Sequence, residues 1–233
     1  MRVRKWLVIA ALVAAAVPAA AQEEEKRVNL NIGGGFTFAT GTVRDHLGDG
    51  YNFNIGLIFN VKPALGFQVE YGFSGLGSKK ISIPVSPLPG DAPVSTNFYG
   101  DMNMQFVDFN LVVKPPMQRA VKPYAMVGVG YYYRPVKVTT PSVGYVPGYC
   151  DPWWYVCYPG GWVPTTTIVG QRSSSDVGMN VGGGVAFPIG GGASGYVEAR
   201  YHYIWGPTIT NASTGVSQKA NGTFFPITFG IRF

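Results

Sequence analysis

Few side chains in this sequence are placed to do chemistry, and most of them are charges set between apolar neighbours. Glu70 lies in Val-Glu-Tyr, Asp108 in Val-Asp-Phe, Glu198 and Arg200 in Val-Glu-Ala-Arg-Tyr, and Arg232 in Ile-Arg-Phe. Arg134 follows three tyrosines. Three carboxylates and three guanidinium groups of this kind could neutralise one another in a closed interior. They could equally line a charge-selective passage. Acid–base chemistry has thinner support. His46 lies between Asp45 and Asp49, and His202 shares its parity with Glu198. A triad is defined by geometry in space, and such neighbours are common without catalysis, so no enzyme is read from them.

Cys150 and Cys157 enclose Asp-Pro-Trp-Trp-Tyr-Val. Two cysteines in an oxidising compartment most simply form one disulfide, and Asp151-Pro152 favours the reversal that joins them. Two thiols without a neighbouring histidine make half a zinc site, so no metal or other cofactor is expected. Tyr145, Tyr149, Trp153, Trp154, Tyr155, Tyr158 and Trp162 crowd the same stretch. They could form a binding surface, pack on each other, or rest on lipid headgroups. Gly33-Gly34-Gly35 and Gly182-Gly183-Gly184 open no helix and are read as strand glycines rather than phosphate loops.

The compartment is read from the N-terminus. Met1-Arg-Val-Arg-Lys is basic, Trp6 to Val17 is apolar, and Ala19-Ala20-Ala21 offers a cleavage site. Residues 1–21 are therefore expected to be a cleaved signal peptide, being too short to span as a helix. Residues 22–27 follow as a short periplasmic leader. Loss of the three cations Arg2, Arg4 and Lys5 lowers the formal net charge from +6 to +3. A nucleic-acid partner loses its main support. Charged residues are only 13% of the chain, about half the usual share, so a secreted chain this poor in charge needs an apolar place to sit.

The elements that must position these residues are strands. Eight stretches alternate with period two: about 28–39, 51–61, 65–75, 102–114, 123–134, 175–187, 194–205 and 221–233. One face is Val, Ile, Leu, Phe and Tyr; the other is mostly Gly, Asn and Ser, with the six charges. Connections alternate long and short, the longest being 76–101 and 135–174. A secreted sandwich would have strands of about five or six residues and water-loving outer faces. These are twice that length, and aromatics gather near their ends (Tyr51, Tyr124, Tyr131 to Tyr133, Tyr201 to Trp205) as interfacial girdles do. The expected fold is all-β: an eight-stranded antiparallel up-and-down transmembrane β-barrel over residues 28–233.

The signal peptide, eight amphipathic strands, four long loops and a closing strand ending in Phe233 resemble the small outer-membrane barrels that include OmpA barrels, OmpX and Ail-like adhesins. The resemblance rests on pattern over the whole mature chain. It implies the outer membrane of a Gram-negative-type bacterium, surrounding lipid and lipopolysaccharide, and assembly machinery that reads the strand ending in Phe233. Stopping at the eighth strand, the chain is expected to lack the peptidoglycan-binding domain of full-length OmpA-type proteins. Some outer-membrane barrels modify lipid A with a histidine. The acyltransferase type has a leading helix that Gln22 to Arg27 is too short to form, and the deacylase histidine faces lipid whereas His202 has inward parity. The expectation is thus a monomer that supports the envelope and displays its loops for surface contact or adhesion. A small-solute channel is the alternative, and a lipid-A-modifying enzyme comes third. The ion-pair plug is expected chiefly from Glu70, Asp108 and Glu198 with Arg200 and Arg232.

Overall fold

The computed structural model describes residues 27–85, 94–116, 120–210 and 215–233. The expected signal peptide and all of the leader but Arg27 lie outside them. The barrel strands are β1 (Val28–Ala39), β2 (Leu47–Lys62), β3 (Leu65–Val85), β4 (Val94–Val113), β5 (Lys122–Val146), β6 (Gly161–Gly190), β7 (Ala193–Ile204) and β8 (Gly222–Arg232). Each pairs antiparallel with the next, and β8 returns to β1 from Asn31↔Arg232 to Ala39↔Phe224, closing the ring. Closure leaves no open sheet edge at the level of the bilayer, where an unpaired backbone group has no water to bond.

Alternation sorts the side chains inside out relative to a water-soluble protein. Phe36, Tyr51, Phe53, Leu57, Phe67, Phe109, Val129, Val181 and Phe229 are exposed, whereas Asn31, Asn54, Gln68, Glu70, Asp108 and Arg200 are buried. No helix among the described residues is long and apolar enough to cross a membrane. The strands do the crossing.

The interior is layered. On β4 the inward series runs Met104, Phe106, Asp108, Asn110, Val112, so the acid lies between two apolar levels. Met104, Phe106, Tyr132, Ile204 and Phe224 make one level, and Val112, Tyr124, Met126, Ala186 and Tyr196 make the other. Glycines create the room. A Cβ on Gly72 would overlap the Phe106 ring, and one on Gly130 would overlap the Asp108 carboxylate.

Three features differ from the sequence expectation. Much of 76–101 and 135–174 is paired ribbon rather than loop. β3 and β4 stay paired out to Val85↔Val94, with a register shift between Leu76 and Lys79, and β5 and β6 out to Val146↔Gly161, with one between Val138 and Thr139. Pro141 and Pro164 suggest loop, but a two-stranded ribbon has free edges that tolerate proline, and the Thr, Val, Ile and Tyr around them favour extension. Second, β2 starts at Leu47, after a single helical turn, α1 (Val43–His46). Third, Tyr124 and Tyr132 belong to no girdle; both are buried in the lumen, in parity with Gly128 and Gly130. Asn103 and Gln105 do face outward, and Gln105 accepts a hydrogen bond from the Tyr71 hydroxyl at 3.3 Å.

Candidate functional site in the lumen and the outer hairpin

Arg200 is the hub of the interior. β7 presents Glu198, Arg200 and His202 at successive inward positions, and the facing wall supplies Glu70 from β3 and Asp108 from β4. One Arg200 Nη2 donates to Glu70 Oε2 at 2.8 Å, and Nε donates to Glu198 Oε1. Nη1 lies 3.6 Å from Asp108 Oδ2. Neutral donors reach each carboxylate, while Asp108 Oδ2 and Arg200 Nη1 make no hydrogen bond. Gln68 donates to Glu70 at 2.8 Å, the Tyr124 hydroxyl to Glu198 at 2.8 Å, and the Tyr132 hydroxyl to Asp108 at 2.9 Å. Ions out of water cost several kcal/mol each unless paired and hydrogen-bonded, and here one guanidinium is shared among three carboxyl groups.

Aromatic rings seal the level beside the charges. His202 stacks on Phe224 with centroids 4.3 Å apart, Phe106 lies 5.5 Å from Tyr132, and His202 Nδ1 is 3.0 Å from the Tyr132 hydroxyl. The cavity bordered by Asn52, Glu70, Phe106, Arg200 and His202 measures about 10 Å³. That is about the least space that admits one water. Side chains fill the barrel here, as its strand number allows.

Two of the arginines expected in this cluster are elsewhere. Arg134 pairs with Asp176 across β5 and β6, at 2.5 Å from Nη2 and 3.1 Å from Nε, and also donates to the Ala220 carbonyl at 3.2 Å. It ties the rim to the segment before β8. Arg232 donates to Asn31 at 3.0 Å and lies over the rings of Tyr124 and Tyr196, 5.1 and 5.5 Å from their centroids. A cation–π sandwich takes the place of the ion pair expected for it, because aromatic faces rather than carboxylates flank that level. Asp176 and Tyr196 were not singled out from the sequence, and Tyr132 and Tyr124 were expected only as girdle aromatics. Parity offered the signal: Asp176 is in step with Gly178 and Asn180, and Tyr132 with Gly130.

His46 is exposed, its Nδ1 3.1 Å from the Thr42 carbonyl, while Asp49 accepts from the Ala39 amide at 3.1 Å. The two are not brought together. Among the described residues no group of His, Cys, Asp and Glu could hold a metal ion.

The β5–β6 ribbon ends in a small closed ring. Cys150 and Cys157 form a disulfide and pair across a two-residue ladder with Tyr149 and Tyr158, whose rings stack at 5.3 Å. Tyr145 meets Trp162 edge-on at 5.6 Å. Trp153, Trp154 and Tyr155 at the tip are 84%, 78% and 90% exposed. The loop aromatics expected as a group are thus divided into two packed pairs and a bare trio.

A closed ring of eight strands, greasy outside and ion-plugged within, defines a small outer-membrane barrel. The chain belongs to the outer membrane protein beta-barrel domain family, whose model matches residues 7–233. No curated protein matches it. Among solved structures it is similar to Neisserial surface protein A, at 14% identity and TM-score 0.51, over 90% of this chain and 98% of that one. A major outer membrane protein of Thermus thermophilus gives 12% identity and TM-score 0.49, over 89% and 99%. The attachment invasion locus protein of Yersinia pestis gives 16% and 0.38, over 89% and 100%. The likeness to the Neisserial protein speaks to the fold alone.

Proposed function

We propose that this barrel is a surface-contact protein: a closed, non-conducting anchor that carries the β5–β6 hairpin away from the membrane as its contact element. The observation that supports this reading best is the hairpin tip, where a disulfide ring holds three aromatic side chains in the open. Exposed aromatics on a rigid frame are costly in water and are what contact surfaces are made of. The packed lumen supports an anchor rather than a passage. On this reading residues 1–21 are removed on export, and the barrel inserts as a monomer among lipid and lipopolysaccharide. The strand ending in Phe233 engages the assembly machinery, and the chain carries no catalytic step.

The test compares cells displaying the intact protein with cells in which residues 140–167 are replaced by Asn-Gly, a pair suited to a tight hairpin. Adhesion or aggregation should be lost with the hairpin. Equal adhesion by both strains would overturn the proposal. Large, steady openings of the purified protein in planar bilayers would favour the small-solute channel instead.

A further inference from the structure

The hairpin tip has a chemistry that suits one kind of partner. From Val138 to Gly170, thirty-three residues, the only charged side chain is Asp151. That carboxylate is already used: its Oδ1 accepts from the Trp153 amide at 2.7 Å and the Trp154 amide at 3.1 Å. The Asp151 amide donates to the Val156 carbonyl at 2.8 Å, and the Tyr155 amide to the Asp151 carbonyl at 3.0 Å. Pro152 has no amide hydrogen. Every backbone N–H from Asp151 to Tyr155 is therefore bonded inside the ring or missing. Tyr155 is held at φ 54°, a left-handed conformation that a tyrosine seldom adopts, and its ring is turned to solvent.

A site for a sugar or a peptide needs free, convergent donors and acceptors beside its aromatic platform. This tip has spent its amides from Asp151 to Tyr155 and one oxygen of its acid. Lipid makes the opposite demand: backbone groups satisfied within the segment, little charge, and indole or phenol rings at the surface. We infer that Trp153, Trp154 and Tyr155 insert as a wedge into the headgroup region of a second, apposed membrane, without requiring anionic lipid. The membrane the barrel itself sits in is too far below. From Arg134 to Val146 the ribbon adds roughly 40 Å along the strand. At a tilt of about 45° that still raises the tip by about 28 Å. The exposed rings of Tyr131, Tyr133 and Trp205 lie at or below its foot.

This rests on the hairpin being the contact element, and the experiment separates the two. The chain from Gln22 onward, carrying Trp205→Phe so that its remaining tryptophans (Trp153, Trp154 and Trp162) are all in the hairpin, is refolded into nanodiscs of ordinary lipid. It is mixed with vesicles of brominated phosphatidylcholine. The expected result is a blue shift and about a twofold loss of emission, the same at low and high salt because screening acts on charges only. Trp153→Ser, Trp154→Ser and Tyr155→Ser together, with the disulfide kept, should abolish both. Heat-modifiable migration of each protein on gels checks that the barrels are folded. Unchanged emission with vesicles overturns the inference, as does quenching seen only when the brominated lipid is in the barrel's own disc. If vesicles fail while cells still adhere through the hairpin, this inference falls and the surface-contact reading stands; if both fail, both fall.

Discussion

Arg200 holds three carboxylates where scarcely a water fits, and that makes it the residue whose loss should be felt most. Arg200→Met would leave Glu70, Glu198 and Asp108 buried without their shared cation. Breaking a buried pair from one side costs about 3–5 kcal/mol. Urea unfolding of the refolded barrel in lipid should show a loss of that order. Adding Glu70→Gln and Glu198→Gln in the same chain should recover a good part of it. No change in the Arg200→Met midpoint would show that the cluster is not holding the interior together. A second test is steric. Gly72→Ala places a methyl group in the Phe106 ring, and overpacking of this kind costs about 1–3 kcal/mol. Phe106→Leu in that background should relieve the loss, and an additive loss would mean that the two do not meet. Parity made the inwardness of these residues legible in the sequence, since Glu70, Asp108, Glu198 and Arg200 alternate with Val, Phe and Tyr. The partners of Arg134 and Arg232 were not legible. They depend on strand register around the ring, which sets Arg134 against Asp176 and Arg232 between two tyrosines.

At the scale of elements, the β5–β6 hairpin is two structures in one strand pair. Up to Thr139↔Ile168 it is barrel wall or wall-braced ribbon, since Thr139 is the last β5 residue that also pairs with β4. Beyond that point it is free ribbon closed by the Cys150–Cys157 bond. Cross-linking a loop this short removes about 2–3 kcal/mol of unfolded-state freedom by the chain-entropy estimate. That stabilisation belongs to the tip, because the bond closes the ring on its own ladder of Tyr149–Cys150 with Cys157–Tyr158. Cys150→Ser with Cys157→Ser should therefore leave the urea midpoint of the barrel where it was. Cleavage by chymotrypsin at Trp153 to Tyr155 should become faster on intact cells. Equal cleavage rates would mean that the bond does not order the tip. The eight spanning strands were readable because lipid on one side and a filled lumen on the other impose strict alternation. The hairpin was not, because above the membrane neither environment acts, and its Pro, Gly and Ser residues carry a loop composition on a strand backbone.

For the whole molecule, the separation of plug and hairpin leads to a stronger expectation than either alone. The plug joins β3, β4, β5 and β7 through Glu70, Asp108, Tyr124, Tyr132 and Arg200, and nothing in it reaches past Arg134. Replacing residues 140–167 by Asn-Gly keeps the wall register through Thr139↔Ile168 and keeps the Arg134–Asp176 bridge at the rim. The shortened protein should therefore refold to a heat-modifiable band with an unfolding midpoint close to that of the intact chain. On the proposed reading it should also be electrically silent in planar bilayers, because the ion cluster and its aromatic layer, and not a loop folded over the mouth, fill the lumen. A shortened barrel that conducts would place the block in the hairpin and remove the argument that the interior is closed by its own side chains. A barrel that fails to refold would make the hairpin part of the folding unit and not an appendage. Retained folding, continued silence and lost surface contact together would assign anchoring to the barrel and contact to the ribbon.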